Sequence, residues 1–293
     1  MLLQSAPRSV YNTVKLLLDE NAILIIGFDS KNWGDALNPV LIQKISGKTP
    51  LIATKYTYHI KSDPVYSVIG SVLESANANN CGHENLVVWG TGFISSQGRL
   101  KVQPKKICAV RGPLTRELLL KQGYECPEIY GDPALLCPKF YRPESRKKYK
   151  LGIIPHYVDK NHAAINNFQN NPDVIIIDIL SGIRNVVDQI GSCQKIASSS
   201  LHGIIAADAY GIPSTWIKFS DNVVGNGFKF FDYFKSVGRI DDGPLVIHKN
   251  SSIDDIVDTF YQYKLDLDLN ELWEVCPFRR NGGNNEHIPY ISQ

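Results

Sequence analysis

The 293-residue sequence lacks the features that mark several large classes of protein. No apolar run approaches the roughly 20 residues needed to cross a bilayer, and residues 1–20 have neither the basic start nor the apolar core of a signal peptide. The six cysteines have no CxxC spacing, so we expect a cytosolic protein with reduced thiols and no zinc site. No GxGxxG motif follows a predicted strand, so the dinucleotide-binding fingerprint is absent. The net charge of +2 is too small to indicate a nucleic-acid-binding surface.

The sequence instead contains alternating strand and helix patterns over a length that suits two domains. Residues 23–28 form a solid apolar run, as in strands that are buried on both faces of a parallel sheet. Such runs alternate with helix patterns such as residues 114–121, which predicts βαβ units and an α/β fold with doubly wound parallel sheets. A charged, proline-containing stretch at residues 139–150 predicts the linker between domains 1–142 and 143–293.

Several element boundaries follow from local patterns. Asn38 followed by Pro39 predicts a helix start, because proline suits the first helical position. Other predictions are a strand at 174–180, an amphipathic helix at 253–263, a short helix at 9–19, and a surface-packed or mobile tail from residue 275.

The most informative stretch is residues 195–213, in which a strand pattern, three serines and a helix pattern follow one another. Gly211 ends the predicted helix. His202 falls in its first turn, where free backbone N–H groups and the helix dipole favour anions. Together with Ser199 and Ser200, this arrangement predicts a site for a phosphorylated or carboxylated ligand, with His202 as a proton donor. The alternative is a structural histidine.

Candidate side chains also follow strands in the first half, where open α/β sheets bind ligands. Asp35 and Asn38 either face a ligand or cap a helix. Thr91 lies between two glycines that allow a close approach of a ligand or a tight turn. Arg111 either grips a carboxylate or phosphate with its planar fork or pairs with a structural acid such as Asp132. Asp132 orients Arg111, contacts a substrate hydroxyl or forms a plain turn.

The segment after the histidine helix is rich in aromatic side chains, which we expect in the core rather than as a sugar platform. Within it, Lys218 and Lys229 are candidates to neutralise a ligand phosphate. His156, at the end of a predicted strand, is a weaker candidate for the cleft.

Taken together, these segments resemble the polysaccharide pyruvyl transferase family. The matching pieces are residues 34–38 (GDALN), 89–92 (WGTG), 111–113 (RGP), 131–135 (GDPAL) and 199–203 (SSLHG). The resemblance spans roughly residues 22–240. It implies a fold similar to GT-B glycosyltransferases, in which two Rossmann-like domains face a central crevice, with the acceptor on the N-terminal side and the donor on the C-terminal side. It also implies that a pyruvyl group passes from phosphoenolpyruvate to two hydroxyls of one sugar, giving a cyclic ketal.

The residues singled out above, taken with the resemblance, predict the composition of the site. We expect His202, Arg111 and Asp35 to be catalytic, and we expect substrate to be bound by Asn38, Thr91, Asp132, Ser199, Ser200, Lys218 and Lys229. Several relatives carry arginine where this chain has Ser200, so a lysine would replace that guanidinium as a point charge.

The same interpretation sets the expected partners. We expect no metal and no cofactor beyond the phosphoenolpyruvate donor, and an acceptor hexose of a lipid-linked oligosaccharide, bound at the inner membrane surface during exopolysaccharide or capsule synthesis. The alternatives are a GT-B glycosyltransferase that uses a nucleotide sugar and a non-catalytic sugar-binding module. An open crevice with His202 facing Arg111 favours an enzyme, whereas burial of both in internal salt links favours a scaffold.

Overall fold

The computed structural model of the chain describes Val14 and residues 19–53, 64–75, 85–144, 146–240 and 242–280. These residues form two five-stranded sheets in which all paired strands are parallel. The predicted α/β class with parallel sheets is therefore confirmed. The helix predicted at residues 9–19 lies outside the described residues apart from Val14 and Asp19.

The elements are numbered in chain order. The first sheet contains β1 (Ala22–Ile26), β2 (Thr49–Ile52), β3 (Val65–Ser67), β4 (Leu86–Trp89) and β5 (Lys106–Ala109). The second contains β6 (Tyr149–Ile154), β7 (Val174–Ile176), β8 (Cys193–Ser198), β9 (Ser214–Lys218) and β10 (Leu245–Val246). The α-helices are α1 (Trp33–Ser46), α2 (Pro113–Lys121), α3 (Asn166–Gln169), α4 (Ile183–Gly191), α5 (Leu201–Ala209), α6 (Phe228–Ser236), α7 (Ile253–Val257) and α8 (Leu269–Glu274), and 3-10 turns span Pro133–Lys139, Tyr157–Asp159 and Ala163–Ile165.

Both sheets have the same strand order. The first runs β2-β1-β3-β4-β5, and the second, read from its other edge, runs β7-β6-β8-β9-β10. In each sheet the first strand in the chain therefore lies between the second and the third, so the winding reverses there. Ligands bind outside the carboxyl ends of parallel strands at such a reversal. The loops after β1, β3, β6 and β8 are thus where the topology places a site.

The burial of the strands explains their apolar sequences. Every residue of β1 and of β4 is buried, as expected for strands that are covered by helices on both faces. Among the described residues, five cysteines are present, and all are buried and free. No helix in the described part of the chain has the length and apolar character needed to cross a membrane.

The predicted start of the first helix at Pro39 is wrong. Helix α1 begins at Trp33, whose backbone N–H donates to the Ile179 carbonyl (3.1 Å) and whose indole N–H donates to the Ile183 carbonyl (3.2 Å). These contacts with the second half fix the first turn, which local sequence signals cannot foresee. Asn38 lies inside α1, whose N-cap residue is Asn32, so it does not cap the helix. Its side-chain amide instead donates to the Ile26 carbonyl at the end of β1 (3.2 Å).

Two other predicted elements are shorter than expected. The strand predicted at 174–180 ends at Ile176, because Asp178 forms a turn in which its carboxylate accepts from the Leu180 N–H (2.9 Å). The helix predicted at 253–263 ends at Val257. Beyond it, the Tyr263 hydroxyl donates to the buried Asp208 carboxylate of α5 (2.6 Å), a tertiary contact that has no local signal in the sequence.

The expectation of a surface or mobile tail from residue 275 is wrong as far as residue 280. Phe278 is buried and packs edge-on against Tyr66 and Trp89 of the first sheet, with ring centroids 5.1 and 5.3 Å apart. The Trp89 indole also donates to the Leu272 carbonyl of α8 (2.9 Å). The end of the second half therefore packs on the first sheet and joins the two.

Candidate active site

The site lies where the loops after β1 and β3 of the first sheet meet those after β6 and β8 of the second. Helix α5 follows β8 after a short loop. The hydroxyl of Ser198 stabilises this loop, because it accepts from the Ser200 N–H (3.0 Å) and donates to the Ser200 carbonyl (2.9 Å). His202 is the second residue of α5, which confirms its predicted place in the first turn. The Ser200 side chain makes no capping hydrogen bond, although Ser200 is the N-cap residue.

His202 bridges the two sheets. Its Nδ1 lies 2.5 Å from Oδ1 of Asn32, in the loop after β1. An amide oxygen can only accept, so Nδ1 carries the proton and Nε2 carries the lone pair. The ring lies against Gly34, where a Cβ would be 2.4 Å from Nε2, so no other residue fits at Gly34 with the ring in place.

The imidazole of His202 is neutral at pH 7. Burial, followed by the positive charges of Lys229 and Arg111, lowers its pKa from 6.5 to about 3. Nε2 is therefore a proton acceptor in this state. The expectation that His202 acts as a proton donor needs a bound anion that raises its pKa, and it stays a prediction.

The structure brings a second histidine to the same place. His156 follows β6, and its backbone N–H donates to the Ser199 hydroxyl (2.8 Å) at the end of the neighbouring β8. Its Nδ1 accepts from the Val158 N–H (3.4 Å), so the proton of this ring is on Nε2. Burial, then Lys229 and His202, lowers its pKa to about 4. The strand-end position was the sequence signal for His156.

Lys229 is the cation at the centre of this group. Burial and the nearby Arg111 lower its pKa to about 8, while the Asp35 carboxylate opposes that shift. Burial raises the pKa of Asp35, which is partly offset by a hydrogen bond from Ser30 and by Lys229. Asp35 from the first half thus faces Lys229 from the second. The Lys218 ammonium pairs with the Asp221 carboxylate, and its contact with a ligand stays a prediction.

Arg111 is fully buried, and its donors are used inside the protein. Its guanidinium pairs with Asp232 of α6 (Nη2–Oδ2 2.9 Å, Nε–Oδ2 3.0 Å) and donates to the Ser71 hydroxyl (2.5 Å) and the Phe93 carbonyl (2.6 Å). The structural acid is therefore Asp232 and not Asp132. This pair joins the end of β5 to the helix that carries Lys229, and contact between Arg111 and a ligand stays a prediction.

The other predicted residues support the loops around this group. The Thr91 hydroxyl donates to the Gly70 carbonyl (2.8 Å), and Asp132 accepts from the Ala134 N–H (2.9 Å) and the Gly70 N–H (3.4 Å). Burial raises the pKa of Asp132 to about 6, although nearby Arg111 lowers it. Both side chains are completely buried, so in this structure they shape the loop after β3.

One cavity lies at the carboxyl ends of two strands, and another lies at the amino end of a strand. The first, of about 390 Å³, adjoins the histidines through Ser199 and lies outside the ends of β8 and β9. The second, of about 970 Å³, is lined by Lys105 and Lys106 at the beginning of β5. The carboxyl ends of parallel strands bind ligands, so the smaller cavity belongs with the site. In the described part of the chain no group of histidine, cysteine and carboxylate side chains has the arrangement of a metal site.

Comparisons with known proteins give a matching family model and two similar proteins. A family model described as polysaccharide pyruvyl transferase matches residues 15–221. The chain is 33% identical over 213 residues to the uncharacterized protein L143 of Acanthamoeba polyphaga mimivirus, with 71% of each chain covered. It is 29% identical over 174 residues to the succinoglycan biosynthesis protein ExoV of Rhizobium meliloti, covering 58% of this chain and 52% of that protein.

Proposed function

The chain belongs to the polysaccharide pyruvyl transferase family, and on that premise we propose that it transfers the pyruvyl group of phosphoenolpyruvate to two hydroxyls of a sugar, forming a cyclic ketal. The observation that carries this proposal is the group formed by His202, His156 and Lys229 where the two sheets meet. A cation with a lowered pKa and two neutral imidazoles suit an anionic donor that must also receive a proton.

Donor binding supplies the charge that protonates His202. Raising its pKa from about 3 to 7 takes about 5 kcal/mol, at about 1.4 kcal/mol per unit. One anionic charge 4 Å away contributes about 4 kcal/mol at an effective dielectric of 20. The donor carries both a phosphate and a carboxylate, so their combined charge is sufficient, and His202 becomes an acid only when the donor is present.

A single imidazole, that of His202, can then give the proton to the donor and take a proton from the acceptor. Protonated His202 gives its Nε2 proton to the methylene carbon of the donor, which becomes a methyl group beside an oxocarbenium-like carbon. A sugar oxygen bonds to that carbon, and its proton passes to Nε2. Phosphate leaves with the carbon–oxygen bonding pair, the second sugar oxygen takes its place, and the second proton goes to the phosphate.

Supporting residues come from both halves of the chain. Asn32 holds the His202 ring in one tautomer. Lys229, which interacts electrostatically with Asp35, is the group that binds the donor phosphate. We further propose that residues 1–142 and 143–293 form two domains in a GT-B-like arrangement with the crevice between them. The acceptor is lipid-linked and is bound at the inner membrane surface. ExoV, named for succinoglycan biosynthesis, supports a polysaccharide pathway.

The test is a transfer assay with the purified protein. We expect incubation with phosphoenolpyruvate and a galactose-type acceptor to release inorganic phosphate and to add a pyruvate ketal to the sugar, detected by mass spectrometry. A chelator should leave the rate unaltered. Consumption of a nucleotide sugar without phosphate release would replace the proposal with a glycosyltransferase, and binding of sugar without turnover would favour a binding module.

A further inference from the structure

The cavity of about 390 Å³ beside the histidines has no role in the donor chemistry above. It lies outside the ends of β8 and β9 and is closed by the start of α6 and the segment before β10. Its volume is within the range of about 300–1,000 Å³ that is usual for small-molecule sites. One or two sugar rings fit a space of this size.

The wall of the cavity contacts the segments that carry the reacting groups. Ser199 forms part of this wall, and its hydroxyl accepts a hydrogen bond from the backbone N–H of His156. Phe230 forms another part, and the Lys229 ammonium lies 5.9 Å from the centre of that ring. The cavity wall is therefore in contact with the segments that carry His156 and Lys229.

The charges that line the cavity argue against an anionic ligand. They are one ammonium, Lys218, and two carboxylates, Asp221 and Asp242, and the ammonium is already paired with Asp221. A nucleoside diphosphate or a second phosphate would meet uncompensated negative charge. Carboxylates are instead good acceptors for hydroxyl groups, and such hydrogen bonds are among the stronger ones.

The rest of the lining suits a neutral, hydroxyl-rich ring. Phe231 is half-buried at the wall and packs edge-on against Trp216 (5.3 Å), while Asn226 adds an amide. Trp216 itself is stacked on Phe230 at 4.3 Å and only 7% exposed. Trp216 is therefore a supporting core residue, and the contact surface is Phe231 with the polar rim.

We propose that this cavity is the binding site for the neutral acceptor saccharide, with Asp242 and Phe231 as residues that determine its affinity. The inference rests on the proposed function and gives the acceptor a place in the second half of the chain, whereas the sequence interpretation expected it on the N-terminal side. The sugar hydroxyls that react would then approach the donor from the side of Ser199.

The test separates acceptor binding from donor chemistry. In the transfer assay we expect Asp242→Ala, which removes the acceptor, to raise the acceptor KM by about 10- to 100-fold, the equivalent of one hydrogen bond to a charged group, with the donor KM unchanged. Phe231→Ala should act in the same direction. Asp258→Ala, at an exposed aspartate outside the cavity, is the matched control and should behave like the wild type.

Equilibrium binding tests the cavity even if phosphoenolpyruvate is not the donor. Lactose, maltose and mannobiose are titrated calorimetrically into the wild type and the two cavity variants without any donor. Binding of one disaccharide that weakens in both variants supports the proposal. It is overturned if none binds, if binding is equal in the variants, or if uridine diphosphate binds the wild type and loses affinity in them.

Discussion

At the scale of single residues, His202 and His156 differ in which ring nitrogen holds the proton, and a neighbouring atom decides each case. The side-chain amide oxygen of Asn32 fixes a proton on Nδ1 of His202, and the backbone N–H of Val158 excludes one from Nδ1 of His156. One ring therefore presents a lone pair on Nε2 and the other presents an N–H. This difference holds while both imidazoles are neutral, because protonation of His202 would place a proton on both Nε2 atoms.

We expect His202→Gln to lower kcat by about 10²–10⁴-fold, the usual value of general acid–base catalysis. Glutamine cannot transfer a proton, which explains the fall in kcat. Because it keeps a polar end of similar reach, donor affinity should change only a few-fold. Steady-state kinetics of phosphate release measure both quantities. The thermal transition of the variant serves as the control for folding. Retention of more than a tenth of the wild-type kcat would remove His202 from the mechanism.

The lowered pKa of Lys229 predicts an alkaline limit to donor binding. Its ammonium is charged below about pH 8, and the charge is lost as the pH rises through that value. The kcat/KM for the donor should therefore fall about tenfold per unit above pH 8. Lys229→Arg keeps a charge at every accessible pH, so its profile should stay flat to at least pH 9.5. The same alkaline limit in both proteins would assign it to another group.

The site could be predicted only in part from the sequence. His202 was found because a strand, three serines and a helix start follow one another locally. The partner of Arg111 was not found, because Asp232 lies 121 residues away in the chain and nothing in its surroundings indicates the contact. Lys218 and Lys229 looked equivalent, and only the fold separates the one paired with Asp221 from the one beside the histidines.

At the scale of elements, the buried pair of Arg111 and Asp232 fixes α6 against the end of β5. Asp232 also accepts from the backbone N–H of Thr115 (2.8 Å) and from its hydroxyl (2.7 Å), so the carboxylate joins the start of α2 to α6. A Cβ at Gly112 would lie 1.9 Å from the Asp232 carbonyl oxygen. The RGP motif is thus explained by close packing between the two halves.

We expect Asp232→Asn to destabilise the protein by about 3–5 kcal/mol, because it leaves the Arg111 charge buried without its partner. Chemical denaturation measures the loss. Glu117→Gln removes one partner of an exposed ion pair with Lys121 and should leave stability nearly unchanged. A variant as stable as the wild type would mean that Arg111 finds another anion, and donor binding would then be the next measurement.

Some element boundaries are set by local sequence patterns, and others are set by tertiary contacts. The apolar run of β1 was predicted because burial on both faces leaves a continuous pattern. The start of α1 at Trp33 and the end of α7 at Val257 were not, since Trp33 and the segment after Val257 contact Ile179 and Asp208 respectively. Boundaries set by residues distant in sequence have no local signal.

At the scale of the whole molecule, the two sheets share one strand order and are joined by side-chain contacts rather than by strand pairing. The indoles of Trp33 and Trp89 each donate across the chain, to Ile183 and Leu272 respectively. Phe278 then covers the Trp89 ring from the other half. These contacts make the end of the chain part of the first sheet's packing, so the two halves should lose their structure together.

We therefore expect one unfolding transition in calorimetry, and we expect Phe278→Ala to shift all of it. Truncating a buried phenylalanine costs about 3–5 kcal/mol, which lowers the Tm by about 5–10 °C in a chain of this size. Phe28→Ala is the matched control, because Phe28 is 54% exposed whereas Phe278 is 8% exposed, so its Tm should stay near that of the wild type. If Phe278→Ala instead splits the transition in two and moves only one part, the halves unfold independently. The C-terminal segment would then be a cover on the first sheet rather than a joint between the two sheets.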